Sequence, residues 1–191
     1  PAGRTKIPPP KLYVNVFEDA PPMVVPAFST TASFADPVDY TGEKPEALFA
    51  AFRSLMLADH PALSAVVRET IAQRQLQLRQ VDDAPEIKTL LKHSASMAQM
   101  ALQYNAWFSD FEWEARLPDG RMLQVKTDVY AEGVANDMVF FFAEGGKKME
   151  KTAEVYLPVL AWLRHVRQQA GVIKPLGLTV VFPLEGEMMV C

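Results

Sequence analysis

Asp110, Glu112 and Glu114 recur at every second position, and Asp128 follows in the next run of the chain. In a strand this spacing puts three carboxylates on one face, about 6.5–7 Å between successive residues. Carboxylates so placed can hold a divalent cation, meet a basic partner, or form an ordinary wetted sheet face. Arg116 and Lys126 lie within cross-strand reach, and opposite charges across a ladder satisfy each other. His60, His93 and His165 fall on or beside three different helical segments, with no i,i+4 histidine pair and no H-E-x-x-H pattern. Cys191 is the single cysteine, which excludes a disulfide framework and a multi-cysteine metal site. A G-x-S-x-G elbow, a phosphate-cradling glycine loop and a dinucleotide fingerprint are all absent from the sequence. The candidate residues are therefore partner-binding ones: Asp110, Glu112, Glu114 and Asp128. No catalytic set, metal-ligand set or cofactor is expected.

The elements that must position these residues are legible in the hydrophobic spacing. Trp107, Ser109, Phe111, Trp113, Ala115 and Leu117 alternate with Phe108, Asp110, Glu112, Glu114 and Arg116, which predicts a strand with one buried and one charged face. Leu117-Pro118-Asp119-Gly120 reads as a tight turn. Arg121 to Tyr130 returns as the partner strand, with Leu123, Val125, Thr127 and Val129 expected inward. Met138 to Phe142 is apolar on both faces, as a central strand would be. Gly177 to Pro183 reads as a last strand.

Upstream, Leu12 to Phe17 reads as a short edge strand, with a second between Met23 and Thr31 broken by Pro26. Helices are expected at about 46–58, 61–80 and 85–104, with Asp59 and Asp82-Asp83 as caps. The second should bury Leu63, Val66, Val67, Ile71 and Leu78. A fourth helix is expected over about 152–170, starting late or kinked at Pro158 and closed by Gly171. Gly145-Gly146 reads as a tight strand-to-helix turn. The order β(β)-ααα-βββ-α-β predicts an α+β fold: an antiparallel meander with a final added strand, packed against helices.

The 191 residues can bury about 70% of their unfolded surface, enough for one core. Residues 12–191 are expected to form a single domain behind a proline-rich arm over 1–11. Both ends read as cuts or linkers, so the chain reads as a piece of a longer one. The apolar end Met188-Met189-Val190 is expected to pair within that longer chain or dock on a partner. A net charge of −4 argues against a general nucleic-acid binder, and no apolar run is long enough to span a membrane. A cytoplasmic protein is expected. Charge is segregated: residues 104–146 hold eight acids and three bases, whereas residues 61–80 hold Arg68, Arg74 and Arg79 against Glu69. Trp107, Phe108, Trp113 and Phe140 to Phe142 are too many aromatics for one face, so some need a further cover.

The α-β-β-β-α-β order from Pro85 to Pro183 resembles, in topology, the core of the PD-(D/E)xK nuclease-like superfamily. That resemblance implies carboxylates holding a divalent ion that activates water, with a lysine positioning the nucleophile. Gln124-Val125-Lys126 has glutamine where the motif has an acid, and Glu144-Gly145-Gly146-Lys147 has one residue too many. Asp110, Glu112 or Asp128 with Lys126 would have to serve instead. The αβββα portion also resembles the double-stranded RNA-binding domain, with Lys147, Lys148 and Lys151 opening the last helix, but the adjoining strands are acidic. The expected function is a non-catalytic protein-binding module: an adaptor, an effector-neutralising protein of immunity type, or a domain of a larger assembly. Its partner would be a protein with a basic surface, and self-association is compatible with it. The alternative is a divergent metal-dependent phosphodiesterase-like hydrolase.

Overall fold

The proline-rich start lies outside what the computed structural model describes, which is residues 12–21, 24–39, 45–57, 65–81 and 84–191. Asp59, His60 and Asp82-Asp83 lie outside it too. The described elements are strands β1 (Leu12–Val14) and β2 (Thr30–Ser33), then helices α1 (Pro45–Leu57), α2 (Ala65–Leu78) and α3 (Ile87–Ala101). Strands β3 (Ala106–Arg116), β4 (Arg121–Glu132) and β5 (Asp137–Phe142) follow. Helices α4 (Met149–Glu154) and α5 (Leu157–Gln169) lead to β6 (Leu176–Phe182) and β7 (Glu187–Val190). The class is α+β, as the pattern predicts.

The strands form one mixed sheet along the path β1-β4-β5-β6-β7-β2; β3 pairs along one edge of β4, and β1 and β5 pair with the start and the end of its other edge. β3, β4 and β5 are the expected antiparallel meander. The sheet is not antiparallel throughout, because α4 and α5 cross over and return the chain as β6 parallel to β5. β1 also runs parallel to the start of β4. It ends at Val14 rather than Phe17 because Asn15 N–H donates to the Asp19 carboxylate at 2.9 Å and closes a turn. The second strand falls at Thr30–Ser33, beyond Pro26. The apolar end Met188-Met189-Val190 needs no other chain: it lies in β7, between β6 and β2.

Helices cover both faces of the sheet. On one face α5 buries Leu157, Leu160 and Leu163, and α4 buries Ala153, in one cluster with Leu123, Val139, Phe141, Leu178 and Val180. On the other α1 buries Leu48, Phe52 and Leu55 against Val129, Ala131, Phe140 and Phe142. Two covered faces explain why β5 and β6 are buried at every position. α5 starts late, with Pro158 in its first turn, where a missing N–H costs nothing. Its end is a Schellman motif: Gly171 has φ of 76°, its N–H donates to Gln168 O, and Val172 N–H donates to Arg167 O.

α2 presents only part of the face its spacing suggests: Ile71 packs on the core as expected, Val67 does not, and Leu63 lies outside the described residues. Ala72 and Leu76 are buried, whereas Val66 is 74% and Leu78 63% exposed. The helix has almost no amphipathic bias, so packing on α1 and not its own pattern fixes the rotation. Val66→Asp is therefore expected to change stability by no more than about 0.5 kcal/mol. Leu76→Asp, a buried unpaired charge, should cost about 3 kcal/mol or more by urea unfolding. Comparable costs for the two would contradict this rotation.

Candidate functional site

The β3–β4 hairpin closes as a three-residue loop with glycine in the left-handed position. Gly120 has φ of 90°, Leu117 N–H donates to Arg121 O at 2.7 Å, and Gly120 N–H donates to Leu117 O at 2.9 Å. From there the ladder runs in constant register, pairing Trp113 with Val125 and Phe111 with Thr127. At the next pair, Asp110 opposite Asp128, the bridge is interrupted, and beyond it the register resumes with Ser109 opposite Val129. Asp110 sits there with φ of 51°.

The interruption swaps the faces of both strands. Phe111, Trp113, Leu123 and Val125 pack on the α4–α5 side, whereas Trp107, Val129 and Ala131 pack on the α1–α3 side. Phe108 and Tyr130, on the opposite phase from Trp107 and Val129, stack on each other at 6.0 Å and approach Phe111 at 5.8 and 4.9 Å. The strand is therefore not greasy on one side and anionic on the other along its whole length. The single-face alternation holds for residues 111–117 and 121–127. On the far side of Asp110 and Asp128, Val129 turns to the helical layer opposite the one it was expected to join. The surplus aromatics are housed by this swap. Trp107 meets Phe140 at 5.0 Å in one layer, and Trp113 meets Tyr130 at 4.9 Å in the other.

The swap also places the carboxylates. Asp128 Oδ2 accepts the Phe142 backbone N–H at 2.8 Å, where β5 has ceased pairing with β4. Its Oδ1 accepts Arg53 Nη2 at 2.7 Å and Arg53 Nε at 3.2 Å, so α1 supplies a guanidinium that grips one oxygen with two donors. The same Nη2 lies 3.5 Å from Asp110 Oδ1, and Lys126 Nζ lies 3.6 Å from that oxygen. Two like charges that would repel across a ladder are thus held together by two cations. Glu112 stands apart: it faces Lys126 in the register and accepts Gln124 Nε2 at 2.7 Å. Glu114 is exposed next to Gln124 in the ladder and makes contacts of its own within the chain.

Of the four candidate residues, Asp110 and Asp128 share one charge cluster, while Glu112 and Glu114 lie farther out on the open hairpin. Arg53 is the member that sequence reasoning missed. It lies 57 positions before Asp110 on a helix read only for its apolar stripe. Glu144, beyond the end of β5, has its pKa raised by burial first and by Glu46 and Glu185 next. It does not join Asp128 and Lys126. Among the described residues no group of three or more His, Cys, Asp or Glu is placed to hold a metal ion. His93 is buried with Nδ1 2.9 Å from Pro183 O, and His165 lies against Trp162, so these two histidines are apart.

A second polar cluster is buried under the other layer. Asp137 Oδ2 accepts Arg167 Nη2 at 2.8 Å and Tyr130 Oη at 3.1 Å. Its Oδ1 lies 2.8 Å from Lys174 Nζ and accepts the Gly133 N–H at 3.3 Å. Arg167 Nη2 also donates to Lys174 O, and Lys174 Nζ to Gly133 O, each at 2.9 Å. The cluster ties the β4–β5 turn to the end of α5 and the start of β6. Every partner is an internal one, so it reads as a fastening and not as a reactive centre.

No family model matches the chain, and no curated protein matches it. Among the described residues no helix is long and apolar enough to cross a membrane.

Proposed function

We propose that this chain is a non-catalytic protein-binding module, of the adaptor or effector-neutralising kind or a domain of a larger assembly. Its docking surface is the outer half of the β3–β4 hairpin, on the side that carries Asp110, Glu112, Glu114 and Asp128. The observation behind this reading is a division of labour among those carboxylates. Asp110 and Asp128 are both bound by Arg53, which braces the hairpin against α1, and Lys126 of the hairpin itself lies beside Asp110. Glu112 and Glu114 are exposed on the outer hairpin, where Glu112 accepts Gln124 Nε2 and Glu114 also makes contacts within the chain. A rigid, exposed, carboxylate-bearing strand suits an extended basic segment, with charge deciding approach and register. A second copy docking symmetrically would set Glu against Glu on this face, so the partner surface is a different and basic one.

A backbone amide titration with a peptide of alternating lysine and valine tests it. Amides of residues 111–116 and 121–126 should shift saturably at low salt. Glu112→Lys with Glu114→Lys should weaken binding about tenfold or more, or about 1.4 kcal/mol. Equal affinity for the double variant, or shifts confined to other elements, would contradict the proposal.

The second reading, a divergent metal-dependent hydrolase, has one observation in its favour: Asp110 and Asp128 share one guanidinium, and Lys126 lies beside Asp110. Against it, Arg53 already occupies Asp128 Oδ1 with two donors, and a guanidinium beside both carboxylates repels a divalent cation.

A further inference from the structure

We propose that the crevice between α2 and α3 is a binding site for a small carboxylate with a short aliphatic tail, gripped by Arg68. Of the three arginines on α2, Arg79 folds back on its own helix, donating from Nη1 to Gln75 O at 3.3 Å and to Gln75 Oε1 at 2.9 Å. Arg74 faces outward. Arg68 turns toward α3 instead, where Nη2 donates to Ser94 Oγ. Ser94 is buried and donates in turn to Leu91 O at 2.8 Å, so it offers Arg68 a neutral partner with no charge to match. Among the described residues no carboxylate lies within ion-pair distance of Arg68. Its Nε is buried and has no hydrogen-bond partner. A guanidinium held in a crevice with an orphaned donor and no counter-ion is costly, and burial pushes its pKa down. An anion in the adjoining crevice would give the guanidinium the counter-charge that no described carboxylate supplies.

The space for such an anion adjoins it. A cavity of about 230 Å³ opens beside Arg68, lined also by Leu91, Lys92 and Ala95. Of these, Leu91 and Ala95 are half-buried and apolar, and Lys92 is exposed and carries its charge on a hydrocarbon stem. Charge at one end and hydrocarbon along the wall select an amphiphilic monoanion. A carboxylate has two oxygens and fits a guanidinium fork edge to edge. A tetrahedral phosphate would need donors on more sides than this crevice supplies, and it has nothing to lay against Leu91 and Ala95.

The test is a backbone amide titration of the full chain with acetate, butyrate and hexanoate, against 1-hexanol and inorganic phosphate. Hexanoate should shift residues on the facing turns of α2 and α3, Leu91, Lys92 and Ala95 included. Each methylene that enters the cavity should tighten binding about three- to fourfold. Hexanol and phosphate should each bind at least about tenfold more weakly than hexanoate. Arg68→Met keeps the stem and removes the fork, so it should lose most of the hexanoate affinity. Arg68→Lys, which keeps the charge without the fork, should lose part of it and serves if the methionine variant fails to fold. Hexanol matching hexanoate, phosphate matching it, or undiminished binding in a folded Arg68 variant would each overturn the site.

Discussion

Asp137→Ala is expected to destabilise the chain by about 3–5 kcal/mol, because it leaves the buried Arg167 and Lys174 without their counter-charge and Tyr130 without its acceptor. Asp137 and Arg167 side chains are only 5% and 10% exposed, so water cannot take the place of the lost partner. The cost belongs to the broken network and not to the pair as such. Replacing both, as Asp137→Leu with Arg167→Met, should therefore cost clearly less than the sum of the two single changes. Urea unfolding of the two singles and the double measures this directly. Additive losses would show that the groups do not act as a unit.

The same carboxylate sets a pH dependence. Burial alone would raise the pKa of Asp137, but hydrogen bonds from Lys174, Arg167 and Tyr130 outweigh it and hold the group below its ordinary value. The native state therefore binds this proton less readily than the unfolded chain. Its stabilisation is complete above the unfolded value of about 3.9 and is lost as pH falls through the lower native value. Wild type should lose stability steeply below about pH 4, and Asp137→Asn should lack that component of the slope.

Phe140→Ala is the second large effect, at about 3–5 kcal/mol. Phe140 is fully buried between Trp107 and Tyr104, with ring centroids 5.0 and 5.9 Å away. The change also reports on the face swap. A double-mutant cycle between Trp107 and Phe140 should give about 0.5–1.5 kcal/mol of coupling. The cycle between Phe111 and Phe140 should give none beyond error, because those rings lie in opposite layers. Had the alternation continued unbroken, Trp107 and Phe111 would share a face, and both cycles would couple.

Most of the fold could be read from local chemistry. Alternation marks β3 and β4, Pro118 and Gly120 mark their turn, Pro158 delays α5 and Gly171 ends it. Where the reading departs from the structure, a contact distant in sequence decides the outcome. α2 turns Val66 and Leu78 outward because α1 chooses its face, and no spacing within α2 records that choice. The end at Val190 finds its cover in Thr30–Ser33, some 160 positions earlier. The face swap at Asp110 leaves the register unchanged, because both strands break step at one pair, so no insertion marks it. Two hints were present even so. A run of aromatics too large for one face needs a second layer, and an aspartate is among the residues that tolerate a positive φ. Among the four candidate carboxylates, spacing could place all on one strand pair, but it could not show that Arg53 claims two of them.

The functional account rests on that claim: Asp110 and Asp128 are structural carboxylates held by Arg53, and the outer hairpin is left for a partner. The most direct measurement is a titration of the wild-type chain with Mg²⁺ and Mn²⁺ to millimolar levels, read by melting temperature and by paramagnetic broadening of the Asp110 and Asp128 amides. No saturable rise in melting temperature and no selective broadening at those two residues are expected. A rise of several degrees with saturable broadening, both abolished in Asp128→Asn, would contradict it and favour the hydrolase.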